Sequence, residues 1–167
     1  GQVDTWIGEL GSVQEPNSLL LQVLQASGLP VFWDFQIERR LWQKLAINCC
    51  VNAPTALLQC QNGDLIKIAE GKFILDNLCA EVSCILQAMN IPCTREVLHT
   101  CVYDILTKTA DNYSSMYQDL QRGTKTEIDY MNGYLVRHAK QLNLPCPYNE
   151  MLTDFVHFKE KLRVCPT

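Results

Sequence analysis

The stretch Trp42–Leu58, WQKLAINCCVNAPTALL, limits what this chain can fold into more than any other. Its apolar residues recur at helical spacing, and Leu41, Leu45, Ile47, Val51, Leu57 and Leu58 read as the core contacts of one helix. Three polar residues interrupt that pattern, Lys44, Asn48 and Asn52, at i, i+4 and i+8. At 3.6 residues per turn they stack in one row on one face, over about 12 Å of helix axis. Their neighbours are mostly apolar, so the row is not expected to be a solvated face. An ammonium and two carboxamides in such a place need partners, at a cost of about 1–3 kcal/mol for each bond left unmade. Either the protein supplies them, through a snorkelling Lys and two Asn that cap or bridge neighbouring helices, or a small polyoxygenated anion does.

A chain of 167 residues, 47% hydrophobic and 19% charged, can bury the core of one ordinary globular domain. The net charge of -4, with Lys and Arg scattered, offers no basic patch and argues against nucleic acid as a partner. No run of about 18 uninterrupted apolar residues is available for a membrane span, and the N-terminus lacks the basic-then-apolar order of a signal peptide. The expectation is a soluble, cytoplasmic protein with no membrane partner. Nine cysteines are spread without any C-x-x-C and sit mostly among apolar neighbours, so they read as small buried hydrophobes. His99, His138 and His157 show no ligand spacing with the thiols, and no metal is expected.

Along the chain, Asp4–Leu10 alternates between glycines as a short strand would, Asn17–Ser27 is a helix ended by Gly28-Leu29-Pro30, and Val31–Asp34 is a second short strand. The first long helix runs over Ile37–Gln59, and Pro54 inside it predicts a kink or break near Ala53. A second helix covers Gly71–Asn90, with Phe73, Ile74, Leu78, Val82, Ile85 and Leu86 inward. A third, Arg95–Thr109, is capped by Thr94 and turns Val97, Leu98, Val102 and Leu106 inward. A short helical piece at Ser114–Leu120 precedes two last helices, Glu127–Leu142 and Tyr148–Arg163.

The wording of two segments carries a resemblance. KLAINCCVNAPTAL followed by QNGDL, and downstream SSMYQDLQRGTKTEIDYMNGYLVRHAKQLNLPCPYNEML, resemble in order the C-terminal helical domain of ketopantoate reductase (2-dehydropantoate 2-reductase). The resemblance runs from about Trp6 to Arg163. It implies a mainly α fold, a helical bundle of the 6-phosphogluconate dehydrogenase C-terminal-domain-like type with a short β remnant at the N-terminus. Residues 1–35 would be the tail end of a nucleotide-binding domain with its connecting segment, and 36–167 the helical substrate-binding and catalytic domain. No G-x-G-x-x-G occurs, and Gly8-Glu9-Leu10-Gly11 has neither its spacing nor its context, so the Rossmann domain is absent from this chain. The expectation is a C-terminal piece that folds but is inactive alone, with a nucleotide-binding domain as partner in cis or in trans. A homodimer is also open.

The implied activity is NADPH-dependent reduction of 2-dehydropantoate to pantoate, a step toward pantothenate and coenzyme A. Lys44 is then the proton donor, a role suited to an ammonium on a flexible stem. Asn48 and Asn52 match the family's substrate-binding amides. Ser115, beside Ser114 at a helix start, is either an N-cap or a substrate contact, and the resemblance favours substrate. Glu127 either closes a capping box with Thr124 or contacts NADPH, and the resemblance favours the cofactor. Asn62 either serves the Asn-Gly turn or reaches the substrate, and Glu81 is either a second acid near Lys44 or a paired helix charge. Two alternatives remain, a reductase of a different 2-keto acid and a non-catalytic helical assembly or binding module. The second predicts that packed side chains seal the row of Lys44, Asn48 and Asn52.

Overall fold

The computed structural model describes residues 4–11 and 18–164. Asn17, expected near the start of the first helix, and Cys165 lie outside them. The chain divides into two compact units, residues 1–44 and 45–167.

In the first unit, β1 (Thr5–Ile7) pairs in parallel with β2 (Val31–Trp33), with Trp6 opposite Phe32, and α1 (Ser18–Ala26) lies between them in sequence. β1 is shorter than the alternation over Asp4–Leu10 suggests. It ends at Gly8, where a Cβ would stand 2.4 Å from the Asp34 carbonyl oxygen, a spacing only glycine permits. Aromatic contact adds to the ladder, with the Trp6 and Phe32 rings 5.0 Å apart and the Arg40 guanidinium 4.0 Å over Trp6. Arg40 also donates to Asp34, and this bond holds the Asp34 carboxyl below the usual carboxylate range. Leu19 and Val23 of α1 are exposed.

The long helix α2 (Ile37–Leu58) starts among residues of the first unit and continues into the second. The break expected near Ala53 does not occur. Pro54 removes the N–H that would bond the Cys50 carbonyl, yet the helix runs on to Leu58. The Thr55 hydroxyl, 2.8 Å from the Val51 carbonyl, supplies one extra donor in that turn. The buried face of α2 also differs from the one the large side chains suggest. Leu41 and Leu58 are exposed, while Ala46, Cys49, Cys50, Val51, Ala53 and Ala56 are buried. Small side chains let neighbouring groups reach the α2 backbone, as Asn132 does when its amide donates to the Cys49 carbonyl at 2.9 Å.

The rest of the second unit is α3 (Ala69–Ala88), α4 (Arg95–Lys108), α5 (Ser115–Arg122), α6 (Asn132–Gln141) and α7 (Pro147–Val164), with 3-10 turns at Asn62–Ile66 and Ile128–Tyr130. α3 packs against α4, α6 and α7 and contributes Leu75, Leu78, Val82, Ile85 and Leu86 to the core. Phe73 and Val97, expected inward, are exposed; Leu75 takes the inward place on α3. Thr94 caps α4 as expected, accepting from the Val97 N–H at 3.3 Å. Glu127 does not open a helix: a 3-10 turn follows it, and α6 begins only at Asn132. Cys49, Cys50, Cys79 and Cys146 are buried thiols, whereas Cys84 is exposed. The fold is mainly α with a short parallel β pair near its N-terminus.

Candidate functional site

Helix α2 carries Lys44, Asn48 and Asn52 at one-turn intervals, and their exposure falls along the row. Lys44 is exposed, Asn48 half-buried, and Asn52 retains 7% of its surface. Among the described residues Lys44 has no ion-pair partner and the Asn48 amide has no hydrogen bond. The Asn52 Nδ2 donates only to the Met131 thioether at 3.6 Å, a weak acceptor. These are the groups for which sequence alone left open whether protein or ligand satisfies them, and the described protein satisfies them poorly.

In the second unit the backbone around Asn52 is tied to the start of α5. Ser114 is the N-cap of that helix, accepting from the Tyr117 N–H at 3.2 Å. Its buried hydroxyl also lies 2.8 Å from Thr55 Oγ1, to which it can donate, and 3.4 Å from the Asn52 carbonyl. Ser114 therefore does the capping that either serine could have done. Ser115 is left exposed at the first helical position, with no side-chain bond among the described residues.

Asn62, in the 3-10 turn that follows α2, is buried against the segment that leads into α5. Its 7% exposure, its Nδ2 bond to Thr109 Oγ1 at 2.9 Å and its N–H bond to the Asn112 carbonyl at 2.9 Å make it a brace of that segment. Its Oδ1 is buried without a partner among the described residues. Gly63 allows this approach, because a Cβ there would stand 2.7 Å from the Ala110 side chain.

Glu127 is exposed, and the capping box with Thr124 is not formed. Thr124 bonds Asp119 instead, through the carbonyl at 3.3 Å, and the Glu127 side chain makes no cap bond. Residues on either side of Glu127 are held by α7. The Thr126 N–H and hydroxyl donate to Glu160 Oε1 at 2.8 Å each, and Asp129 Oδ1 pairs with His157 Nε2 at 2.9 Å. The carboxylate is thus presented on an anchored loop with its oxygens free to accept from hydroxyl groups, which suits the ribose of a nicotinamide cofactor. Met131, the residue that touches Asn52, lies in the same segment and donates its N–H to the Glu127 carbonyl at 3.1 Å.

Glu81 is not free for acid chemistry. Its carboxylate caps α7, accepting from the N–H groups of Tyr148 at 2.8 Å and Asn149 at 3.0 Å and from the Asn149 amide at 2.8 Å. Asn149 Oδ1 in turn accepts from Asn132 Nδ2 at 3.0 Å, and Asn132 reaches the Cys49 carbonyl. This buried chain fixes α2 in the turn between Asn48 and Asn52. Its members are separated by up to 83 positions, so no local pattern announces them. An open apolar cavity of about 440 Å³ over Ala69, Glu70, Phe73 and Ile74 is lined by none of these residues. Among the described residues no three His, Cys, Asp or Glu side chains converge as metal ligands.

The family model described as ketopantoate reductase PanE/ApbA C terminal matches residues 36–160. The chain belongs to the ketopantoate reductase family. It is 36% identical over 156 residues to a 2-dehydropantoate 2-reductase of Yersinia pestis, covering 93% of this chain and 50% of that protein. The crystal structure of a PanE/ApbA family ketopantoate reductase from Ralstonia eutropha JMP134 is similar to 96% of this chain and 53% of its own, at a TM-score of 0.84 and 27% identity. A D-mandelate dehydrogenase in complex with NADH is similar at the same TM-score, with 25% identity over 94% of this chain and 54% of that one. The chain therefore spans about half the length of the relatives it matches.

Proposed function

We propose that this chain supplies the substrate-binding and proton-donating half of an NADPH-dependent 2-dehydropantoate 2-reductase, with residues 1–35 as the end of the nucleotide-binding domain and 36–167 as the helical catalytic domain. The observation that carries the reading is the state of the polar row among the described residues: an exposed Lys44 without an ion pair, an Asn48 amide without a hydrogen bond, and an Asn52 amide that donates only to a thioether. An assembly helix would seal such groups, because each unmade bond in a buried place costs about 1–3 kcal/mol.

NADPH, when bound, supplies the hydride to the carbonyl carbon. Lys44 stabilises the charge growing on the carbonyl oxygen and hands it a proton from Nζ. Asn48 and Asn52 donate and accept at the oxygens of the hydroxy-acid end, which holds that carbonyl beside Lys44. Ser115 donates its free hydroxyl to the carboxylate. Asn62 acts from behind, bracing the segment that carries Ser115. Glu127 accepts from the cofactor ribose hydroxyls. The chain by itself is expected to turn over nothing, since its sequence has no G-x-G-x-x-G turn to cradle the nucleotide phosphates.

The likeness to a D-mandelate dehydrogenase supports a second reading, in which the same row reduces another 2-keto acid. A substrate panel decides between them. With a nucleotide-binding half present, NADPH oxidation by 2-dehydropantoate should exceed that by an aryl 2-keto acid at least about tenfold in kcat/KM. A preference for the aryl acid would select the second reading, and no turnover of any 2-keto acid would overturn both.

A further inference from the structure

The face of α2 that carries Asn48 and Asn52 has a further member. Thr55 follows Asn52 by three residues and Asn48 by seven, which sets it on the same side of the helix, and it is fully buried. It continues the row one step deeper into the core. Its hydroxyl stands 2.8 Å from Ser114 Oγ, 2.8 Å from the Val51 carbonyl and 3.1 Å from the Asn52 carbonyl. Ser114 Oγ already accepts the Tyr117 N–H at 3.2 Å. Its own proton therefore goes to the nearer of two acceptors, Thr55 Oγ1, rather than to the Asn52 carbonyl at 3.4 Å. Thr55 in turn donates to the Val51 carbonyl. A directed chain of three bonds thus runs from the Tyr117 N–H through two buried hydroxyls into the turn of α2 that holds Asn52.

We infer that Thr55 is a positioning residue for the keto acid: it joins the first turn of α5 to α2 and so fixes Ser115 relative to Asn52. The inference rests on the proposed function, in which Ser115 takes the carboxylate and Asn52 the hydroxy-acid end of one substrate. Both of these side chains adjoin the joint. Ser115 follows Ser114 directly, at the first helical position of α5, and Asn52 lies one turn before Thr55. The segment leading into α5 has other anchors, since the Gly63 N–H donates to the Ala110 carbonyl at 3.0 Å and the Asn62 N–H to the Asn112 carbonyl at 2.9 Å. Those backbone bonds tie it to the turn after α2, not to the turn that holds Asn52. Removing the Thr55 hydroxyl leaves them intact, and Ser114 keeps its longer approach to the Asn52 carbonyl. The helix α5 then stays capped while its start is free to shift. A substrate gripped from both sides registers such a shift, because a misplacement of about 1 Å is enough to cost up to about 100-fold in rate.

The test compares Thr55→Val and Thr55→Ser in the assembled reductase. The valine keeps the shape of the side chain and removes the hydroxyl, whereas the serine keeps the hydroxyl and removes a methyl group from the core. Thr55→Val should raise the KM for 2-dehydropantoate about tenfold or more and leave the KM for NADPH unchanged. Thr55→Ser should keep the keto-acid KM within about twofold of the parent, even as its lost methyl lowers the melting temperature. A merely structural role predicts otherwise: both KM values stay parental in Thr55→Val, and only the melting temperature or the yield of active enzyme changes. That result overturns the inference and leaves the proposed function standing, and so does a KM that follows the lost methyl rather than the lost hydroxyl. Should Thr55→Val fail to fold, Ser114→Ala breaks the same chain at its other hydroxyl and should separate the two KM values in the same way; parental values there overturn the inference too. A parent that reduces no 2-keto acid overturns the reading on which this one rests, and this one with it.

Discussion

Lys44, Asn48 and Asn52 form a gradient from solvent to core, and the chemistry assigned to each follows from its place on it. Under the proposed function, exposure leaves Lys44 the reach a proton donor needs, and burial holds Asn52 where an amide would fix a substrate's orientation. Asn52→Ala should therefore lower kcat/KM of the assembled reductase by about 10- to 100-fold, since it removes amide bonds worth roughly 1–3 kcal/mol. Glu127→Ala should raise the KM for NADPH with little change in the KM for the keto acid; an unchanged cofactor KM would return Glu127 to a purely structural role. The row was legible in the sequence because spacing alone puts i, i+4 and i+8 on one helix face. Ser115 was less so, since an adjacent serine pair does not reveal which member caps the helix. Only the bonds of Ser114 with Tyr117 and Thr55 decide that.

At the scale of elements, helices with strong local punctuation were legible, as α4 was from its Thr94 cap. Pro54 does not break α2, because propensity counts a lost N–H but not the packing that keeps a buried helix intact. The capping box left open as the alternative at Thr124 and Glu127 does not form, and a more distant acceptor, Glu160, holds Thr126 instead. The Glu81 cap on α7 was invisible, since its partners lie 67 and 68 positions away. Its loss should be costly. Glu81→Gln places an amide donor against N–H donors and should destabilise the chain by about 2 kcal/mol in urea unfolding. Gly71→Ala should cost about 1–3 kcal/mol in the same assay, because its Cβ would stand 2.2 Å from the Leu65 carbonyl oxygen.

For the molecule as a whole, buried thiols set an alkaline limit. Burial pushes the Cys49 thiol far up, the adjoining Cys79 thiol together with burial pushes Cys50 up, and burial takes Cys146 to about 11. In the unfolded chain a thiol ionises near about 8.5. The folded state thus holds protons that the unfolded state releases, so this contribution to stability is fully present below about 8.5 and declines as pH rises toward about 11. The melting temperature should fall steadily from pH 8 to pH 10, and less steeply in Cys146→Ala than in the parent. Under the proposed function, phosphate binding and the hydride donor fall to a nucleotide-binding half, because this sequence holds no G-x-G-x-x-G. The account rests on Lys44 acting as the proton donor. That is tested most directly by comparing NADPH oxidation with 2-dehydropantoate in the assembled reductase and in its Lys44→Ala variant. The account predicts a fall in kcat of about 10²- to 10⁴-fold with NADPH affinity retained. A variant that turns over at the parental rate would contradict it.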